Sequence, residues 1–459
     1  MSQLEQYKQI LQQVQPVTVA GRVVAVRGLT VSVGGFPAPV GAGCRILCAG
    51  KTLEGRVVGF CDSETLVMPL DGTTGICHGD QVECTTVEPT VQVGRDMLGR
   101  VVDGLARPID AKGPFAVDAH AELWPRPISA MRRERITEPL CTGVKAIDAM
   151  LTVGVGQRMC ILSGSGVGKS VLLGMIGRNA SVDVTVVGLI GERGREVRDF
   201  IERDLGPDGL ARSVVVVSTG DDPPLLRLQA GATATAIAEF FRDQGLNVLL
   251  LMDSLTRLAM AQRQIGLVAG EPPTSKGYTP SVFNLLPRLL ERGGRTEQGS
   301  ITGFYTVLAE SDELNDPISD AVKSVTDGHI MLSRQMANRG QYPAVDCLRS
   351  VSRVMSDIVS PEHMAASRQL HHQLALHDEI RDMCNIGAYK AGSSVKHDAA
   401  IQAELRSRAL LSQTCDEAFE MKNTVESLIE LAGSLDSSEK RTRRVSRMPL
   451  SVGRYIQVD

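Results

Sequence analysis

The sequence predicts an α/β chain in three parts: a small N-terminal β-barrel, a central parallel-sheet domain built around a phosphate loop, and a C-terminal helical domain. Three observations carry that prediction. The chain has 459 residues, which at ordinary domain sizes is about three domains. Only 3% of it is aromatic, with one Trp against 45 Gly, a composition that suits parallel strands and close helix–sheet packing. The spacing of apolar residues also changes twice along the chain: period two gives way to alternating apolar runs and helices, and then to helices alone.

The first element is residues 1–16, where Leu4, Tyr7, Ile10, Leu11 and Val14 share one face of an amphipathic helix. Its polar face carries Glu5 and Lys8 without a basic excess, so a partner helix or its own domain suits it better than anionic lipid. From 17 to 90 the period is two, as in Thr30-Val31-x-Val33 and Leu66-Val67-Met68, with turns at Gly34-Gly35, Asp71-Gly72 and His78-Gly79-Asp80. Short strands with regular turn signals read as a small barrel.

Residues 91–360 make the central domain. Their first stretch, 91–137, holds Asp103-Gly104, Arg107-Pro108 and Pro125-Arg126-Pro127 and is expected to be a linker leading into it. Candidate strands follow at Met159–Leu162, Val184–Ile190, Val214–Val217, Val248–Met252, Thr302–Leu308 and His329–Leu332, with helices such as Gln229–Gln244 and Ser281–Arg292 among them. Near-continuous apolar strands joined by helices mean a parallel sheet covered on both faces. After Pro361 strands vanish. Helices His363–Asn385, His397–Leu410 and Thr414–Leu435 make a C-terminal domain over 361–459, which ends in a basic tail around Lys440–Arg447.

Composition excludes several classes. Forty-nine Lys and Arg against 53 Asp and Glu leave a net charge of -4, so the chain is not a uniformly basic nucleic-acid binder. It lacks an apolar stretch of about 18 residues, and its start lacks the basic and apolar regions of a signal peptide. The ten cysteines are scattered without a Cys-x-x-Cys pair and are expected to be reduced, mostly buried thiols of a cytosolic protein. His371, His372 and His377 do not share a helical face well, so no metal site is expected from the histidines.

The strongest motif is Ser163-Gly164-Ser165-Gly166-Val167-Gly168-Lys169-Ser170, which follows an apolar run and precedes the helix-like Val171-Leu172-Leu173. Its glycines let successive backbone N–H groups turn toward phosphate oxygens, and the helix start adds its positive end. Lys169 supplies charge for the β- and γ-phosphates, and the Ser170 hydroxyl is placed to ligate Mg²⁺. The usual motif begins with Gly; this chain has Ser163, a mild departure at the position that only begins the turn. Metal-assisted phosphoryl transfer also needs a carboxylate at the end of a neighbouring strand, and Val248–Met252 runs into Asp253. The group that orients water is expected to be Glu192, where Val184–Ile190 leaves the sheet at its carboxyl edge. A surface Glu paired with neighbouring arginines would leave the same local pattern.

Longer motifs then match a known family. Gly191-Glu192-Arg193-Gly194-Arg195-Glu196-Val197, Gly270-Glu271-Pro272-Pro273, Gly277-Tyr278-Thr279-Pro280-Ser281, Tyr342-Pro343-Ala344-Val345-Asp346 and Ser350-Val351-Ser352-Arg353 resemble the ATP synthase α/β superfamily, and within it the flagellar and type III secretion export ATPases. The resemblance runs from the barrel to the helical domain and implies a RecA-like core that hydrolyses ATP with Mg²⁺. It implies that Gly164, Ser165, Gly166, Val167, Gly168, Lys169, Ser170 and Val171 hold the nucleotide while Tyr342 stacks on adenine. By the same resemblance Glu192 is the catalytic glutamate, Arg193 senses the γ-phosphate, Asp253 is the strand-end aspartate, and Arg353 is an arginine finger that reaches a neighbouring subunit's nucleotide. Because Glu192 and Arg353 stand in one chain, a homohexameric ring is expected.

As partners the resemblance implies a stator-like negative regulator at the N-terminal helix, a central stalk protein, export chaperones and substrates, and an export gate at the membrane. It places the chain in the cytoplasm, peripheral to the inner-membrane export apparatus. Flagellar and injectisome systems share these motifs. Three other readings remain in view. A catalytic β subunit of a rotary ATP synthase would carry an acidic Asp-Glu-Leu-Ser-Glu-type stretch, which residues 361–435 lack. An RNA translocase resembling Rho would need stacking rings on its barrel, where residues 17–89 offer only Phe36 and Phe60. A nucleotide-locked structural subunit is disfavoured by Glu192.

Overall fold

The computed structural model describes residues 19–308 and 316–446, with side chains to residue 435. The amphipathic segment 1–16 and residues 447–459 of the basic tail lie outside the described residues. Six strands, Ala20–Arg27, Thr30–Gly34, Gly43–Cys48, Lys51–Cys61, Glu64–Pro69 and Gln81–Thr86, close into an antiparallel barrel. Period two puts Val23, Val31, Val33, Ile46, Val57, Val67 and Val82 inside it. Phe36 is buried in that core and only Phe60 is exposed, so the barrel surface has little for bases to stack on.

Every candidate strand of the central domain forms. In space the order is Val345–Ser352, Gly328–Leu332, Arg158–Ser163, Ser300–Leu308, Asn247–Asp253, Val184–Glu192, Ser213–Thr219 and Arg100–Asp103; only the first runs antiparallel to its neighbour. Strand residues alternate between two cores. Val248, Leu250 and Met252 face one, where helices Pro224–Arg242, Leu255–Val268 and Pro280–Leu290 pack; Leu249 and Leu251 face the other, with helix Lys169–Asn179. Each fully buried Leu or Val contributes roughly 1.5–3 kcal/mol.

Two expectations are corrected. Residues 91–137 are not merely a linker. Arg100–Asp103 is an edge strand of the central sheet in register with Val214–Val217, and Thr90–Val93 pairs with Ala119–Glu122. Two valines between charged residues gave no apolar run to read. Arg100 is tolerated there because Asp110 pairs with it at 2.7 Å, and that guanidinium holds the Asp110 carboxyl well below the usual carboxylate range. The thiols are not mostly buried either: of ten free cysteines Cys44, Cys160 and Cys347 are buried, while Cys61, Cys77 and Cys415 are exposed.

The C-terminal helices Pro361–Asn385, Val395–Leu411 and Met421–Ser446 pack Ala366, Leu370, Ala403, Leu411, Leu428 and Ala432 onto the second core. The last helix starts later than expected, because residues 412–417 line a cleft of the central domain. Polar ties fix the junction. The buried His363 ring meets the Ala149 carbonyl at 2.8 Å, and the Lys145 ammonium lies 3.7 Å from the Phe419 ring centre.

Candidate active site

The phosphate loop joins strand Arg158–Ser163 to helix Lys169–Asn179. Gly166 and Gly168 hold φ of 76° and 89°, left-handed values that a side chain would strain, and Gly168 caps the helix. Ser163, the departure from the usual motif, is buried, and its hydroxyl has no hydrogen-bond partner among the described residues. Arg334 donates to the Ser165 carbonyl at 3.3 Å and braces the loop from outside. Ser170 stands exposed on the first turn of the helix and Val171 is half-buried behind it.

Three predicted residues converge beside this loop. Glu192 and Asp253 leave adjacent parallel strands at the carboxyl edge, where Leu189 is in register with Asp253. The Lys169 ammonium makes a close ion pair with Asp253 Oδ1 and lies 3.6 Å from Glu192 Oε1. Asp253 is 2% exposed, and its Oδ1 also accepts the Thr306 hydroxyl at 2.7 Å. One cation between two acids leaves a proton affinity to be settled. Burial and the Asp253 charge push Glu192 up to about 7 against the opposing pull of Lys169. Glu196 moves the other way, lowered first by the hydrogen bond from Glu192 and then by Arg193.

The other predicted charges stand apart. Arg193 is 81% exposed and bonds Glu196 at 2.8 Å rather than entering the cluster. Arg353 is exposed at the far end of its strand, where its N–H donates to the Asp327 carbonyl, level with Arg158. From Arg158 to Ser163 the strand rises about 16 Å, so Arg353 does not approach its own phosphate loop.

A cleft of about 650 Å³ opens from the loop toward the C-terminal domain. Tyr342 forms one wall, its ring 3.5 Å from where a Cβ on Gly168 would sit, with Val171 and Met175 beside it. The C-terminal domain closes the cleft with residues 412–415 and Glu417, which sequence reasoning missed. Gln413 ties that segment down. Its backbone N–H donates to the Tyr342 carbonyl at 2.9 Å, its amide donates to the Gly143 and Glu417 carbonyls at 2.8 Å each, and its oxygen accepts from the Lys145 N–H. Arg257 was missed too. Gly191, at φ 72°, lets its side chain pass within 2.9 Å of where a Cβ would sit, and its buried Nε has no hydrogen-bond partner among the described residues. The Lys169 ammonium at a glycine-rich loop, with an apolar slot beyond, suits a nucleoside triphosphate.

Comparison with known proteins agrees with that geometry. Residues 143–352 match the nucleotide-binding domain of the ATP synthase alpha/beta family, and residues 359–430 match the T3SS EscN ATPase C-terminal domain. The flagellum-specific ATP synthase of Bacillus subtilis is 48% identical over 417 residues, 90% of this chain and 95% of the relative. The type 3 secretion system ATPase of Xanthomonas euvesicatoria is 48% identical over 410 residues, 89% and 93% of the two chains. The structure of the assembled ATPase EscN from enteropathogenic E. coli superposes with a TM-score of 0.85 at 40% identity, covering 90% of this chain and all of that one. EscN has also been solved with its central stalk EscO, and that structure matches with a TM-score of 0.83. Likeness at this level over nearly the full length of both partners means that the chain belongs to the family of flagellum-specific ATP synthases and type III secretion ATPases.

Proposed function

We propose that the chain is an Mg·ATP hydrolase that energises type III protein export, releasing or unfolding export substrates or their chaperone complexes at the export gate. One observation carries the reading: Lys169, Glu192 and Asp253 meet beside a left-handed glycine loop at the carboxyl edge of the sheet. Backbone N–H groups of 164–168 and the Lys169 ammonium bind the β- and γ-phosphates, and Tyr342 stacks on the base. Near neutral pH Glu192 is poised to hold the attacking water and take its proton as the γ-phosphoryl leaves ADP. The residues fit Mg²⁺: both hydrogen bonds to Asp253 fall on Oδ1, so Oδ2 and the exposed Ser170 hydroxyl would be the groups to hold the ion. When bound, the ion neutralises charge on the transferred group.

Arg353 lies too far from its own loop to act there, which supports a finger working on a neighbour's γ-phosphate together with Arg193. The assembled EscN and its stalk complex support a homohexameric ring around a central stalk protein. In this reading residues 1–16 bind a stator-like regulator, the helical domain receives chaperones and substrates, and the ring works in the cytoplasm against the inner-membrane export apparatus. No helix among the described residues is long and apolar enough to cross a membrane. Mixing inactive Glu192→Gln and Arg353→Ala chains tests the ring. Interfaces that pair one intact Glu192 with one intact Arg353 recover ATPase activity; a mixture as dead as either parent sinks the shared site.

A further inference from the structure

Thr306 belongs to none of the motifs above, yet it touches the centre of the cluster. It lies inside strand Ser300–Leu308, fully buried, one strand away from Asp253. Its hydroxyl stands 2.7 Å from Asp253 Oδ1 and 3.4 Å from the Met252 carbonyl; one proton serves one acceptor, and the shorter bond to the charged oxygen wins. We propose that Thr306 is a positioning residue for the proposed hydrolysis, holding the Asp253 carboxylate in the orientation that presents Oδ2 to Mg²⁺. The inference rests on the reading of the site as an Mg·ATP hydrolase.

The two donors on Oδ1 differ in stiffness and in what else they bind. Lys169 reaches it on a four-carbon stem from the first turn of a helix, and that ammonium is also the loop's charge for phosphate. Once a triphosphate draws the ammonium away, Thr306 is the protein donor that remains on the carboxylate. Its reach is short and its χ1 is restricted, because β-branching and close packing limit the rotamers a strand residue can take. The backbone around Asp253 is fixed in turn. Ser254 is buried and caps helix Leu255–Val268, accepting from the Arg257 N–H at 3.4 Å. With the main chain held on one side and Oδ1 on the other, the carboxylate has one orientation left. Without the hydroxyl it can rotate, and each turn away from the ion weakens metal binding while leaving the phosphate loop intact.

The test uses the full-length chain with Thr306→Val, which keeps the shape and removes the donor, and Thr306→Ser, which keeps the donor. Binding of a fluorescent ATP analogue is followed in a Mg²⁺ titration and again in EDTA. The Mg²⁺ needed for half-maximal binding rises about tenfold in Thr306→Val, the effect of losing one hydrogen bond to a charged group. Affinity in EDTA stays at the wild-type level, and Thr306→Ser stays within about twofold of wild type throughout. An unchanged Mg²⁺ requirement in the valine variant overturns the proposal. So does a fall of EDTA affinity in step with it, or a serine variant as impaired as the valine. Should circular dichroism show that valine prevents folding, Thr306→Ala carries the same measurements. A wild-type chain that binds the analogue with Mg²⁺ but hydrolyses no ATP would overturn the parent reading alone.

Discussion

Replacing Glu192 by Gln should make the protein more stable while removing its activity, and the gain should grow with pH. Glu192 shares one cation with Asp253, so its ionised form is held in a partly buried site with too much negative charge. Its carboxyl rises from an ordinary 4.5 to about 7, which means that the folded chain binds this proton more tightly than the unfolded chain does. The sign follows: stability is fully present below pH 4.5, falls as pH climbs toward 7, and levels off above it. At pH 7 the difference amounts to about 3 kcal/mol if taken whole, and screening through the exposed 13% of the side chain brings it to about 1–2 kcal/mol. Glutamine is neutral at every pH, keeps an N–H for Glu196, and leaves Lys169 and Asp253 balanced one to one. Thermal unfolding of both forms between pH 5 and pH 8 is the assay. The curves should nearly coincide at pH 5 and separate by about 1–2 °C at pH 8, the small shift expected of a 459-residue chain, with Glu192→Gln the higher. ATP hydrolysis should fall by roughly 10²–10⁴. A separation that does not change with pH, or a variant less stable at pH 8, would refute the charge argument.

Lys169→Ala should abolish hydrolysis and also destabilise the fold by about 3 kcal/mol, because Asp253 is left buried without its cation; adding Asp253→Asn should restore the unfolding midpoint but not the activity. Tyr342→Ala should weaken ATP binding about tenfold by calorimetry while Tyr342→Phe stays near wild type, since a stacked base needs the ring and not the hydroxyl. Gln413→Ala should cost about 2–3 kcal/mol in chemical denaturation and weaken nucleotide binding as well, because it strips partners from Lys145, Gly143 and Glu417 beside the cleft.

Much of the site was legible because its chemistry is local. The phosphate loop is eight consecutive residues between a strand and a helix, and Glu192 and Asp253 each end an apolar run that can only be a buried strand. The rest comes from contacts that spacing does not encode. Thr306 lies 53 residues from Asp253 and meets it only because their strands are neighbours in space. Gln413 lies 270 residues from the Gly143 carbonyl it holds, in a loop with no periodicity of its own. Arg257 has the same local look as any helical arginine until Gly191 is seen to let it in. Arg100–Asp103 escaped notice because two valines between charged residues make no apolar run, and the pairing of Arg100 with Asp110 is not visible in the spacing.

The cleft beside Tyr342 has walls from residues 166–175 and from residues 412–417. A ribosome makes the first wall long before the second. A growing chain can therefore fold its barrel, its sheet and its phosphate loop and still lack one side of the slot proposed for the base. The gap closes when Gln413 reaches Tyr342 and Gly143, with nearly all of the polypeptide already made. On the proposed reading, tight nucleotide binding should report that synthesis has run to the C-terminal helices, and a chain cut short before residue 412 should be left with an open slot.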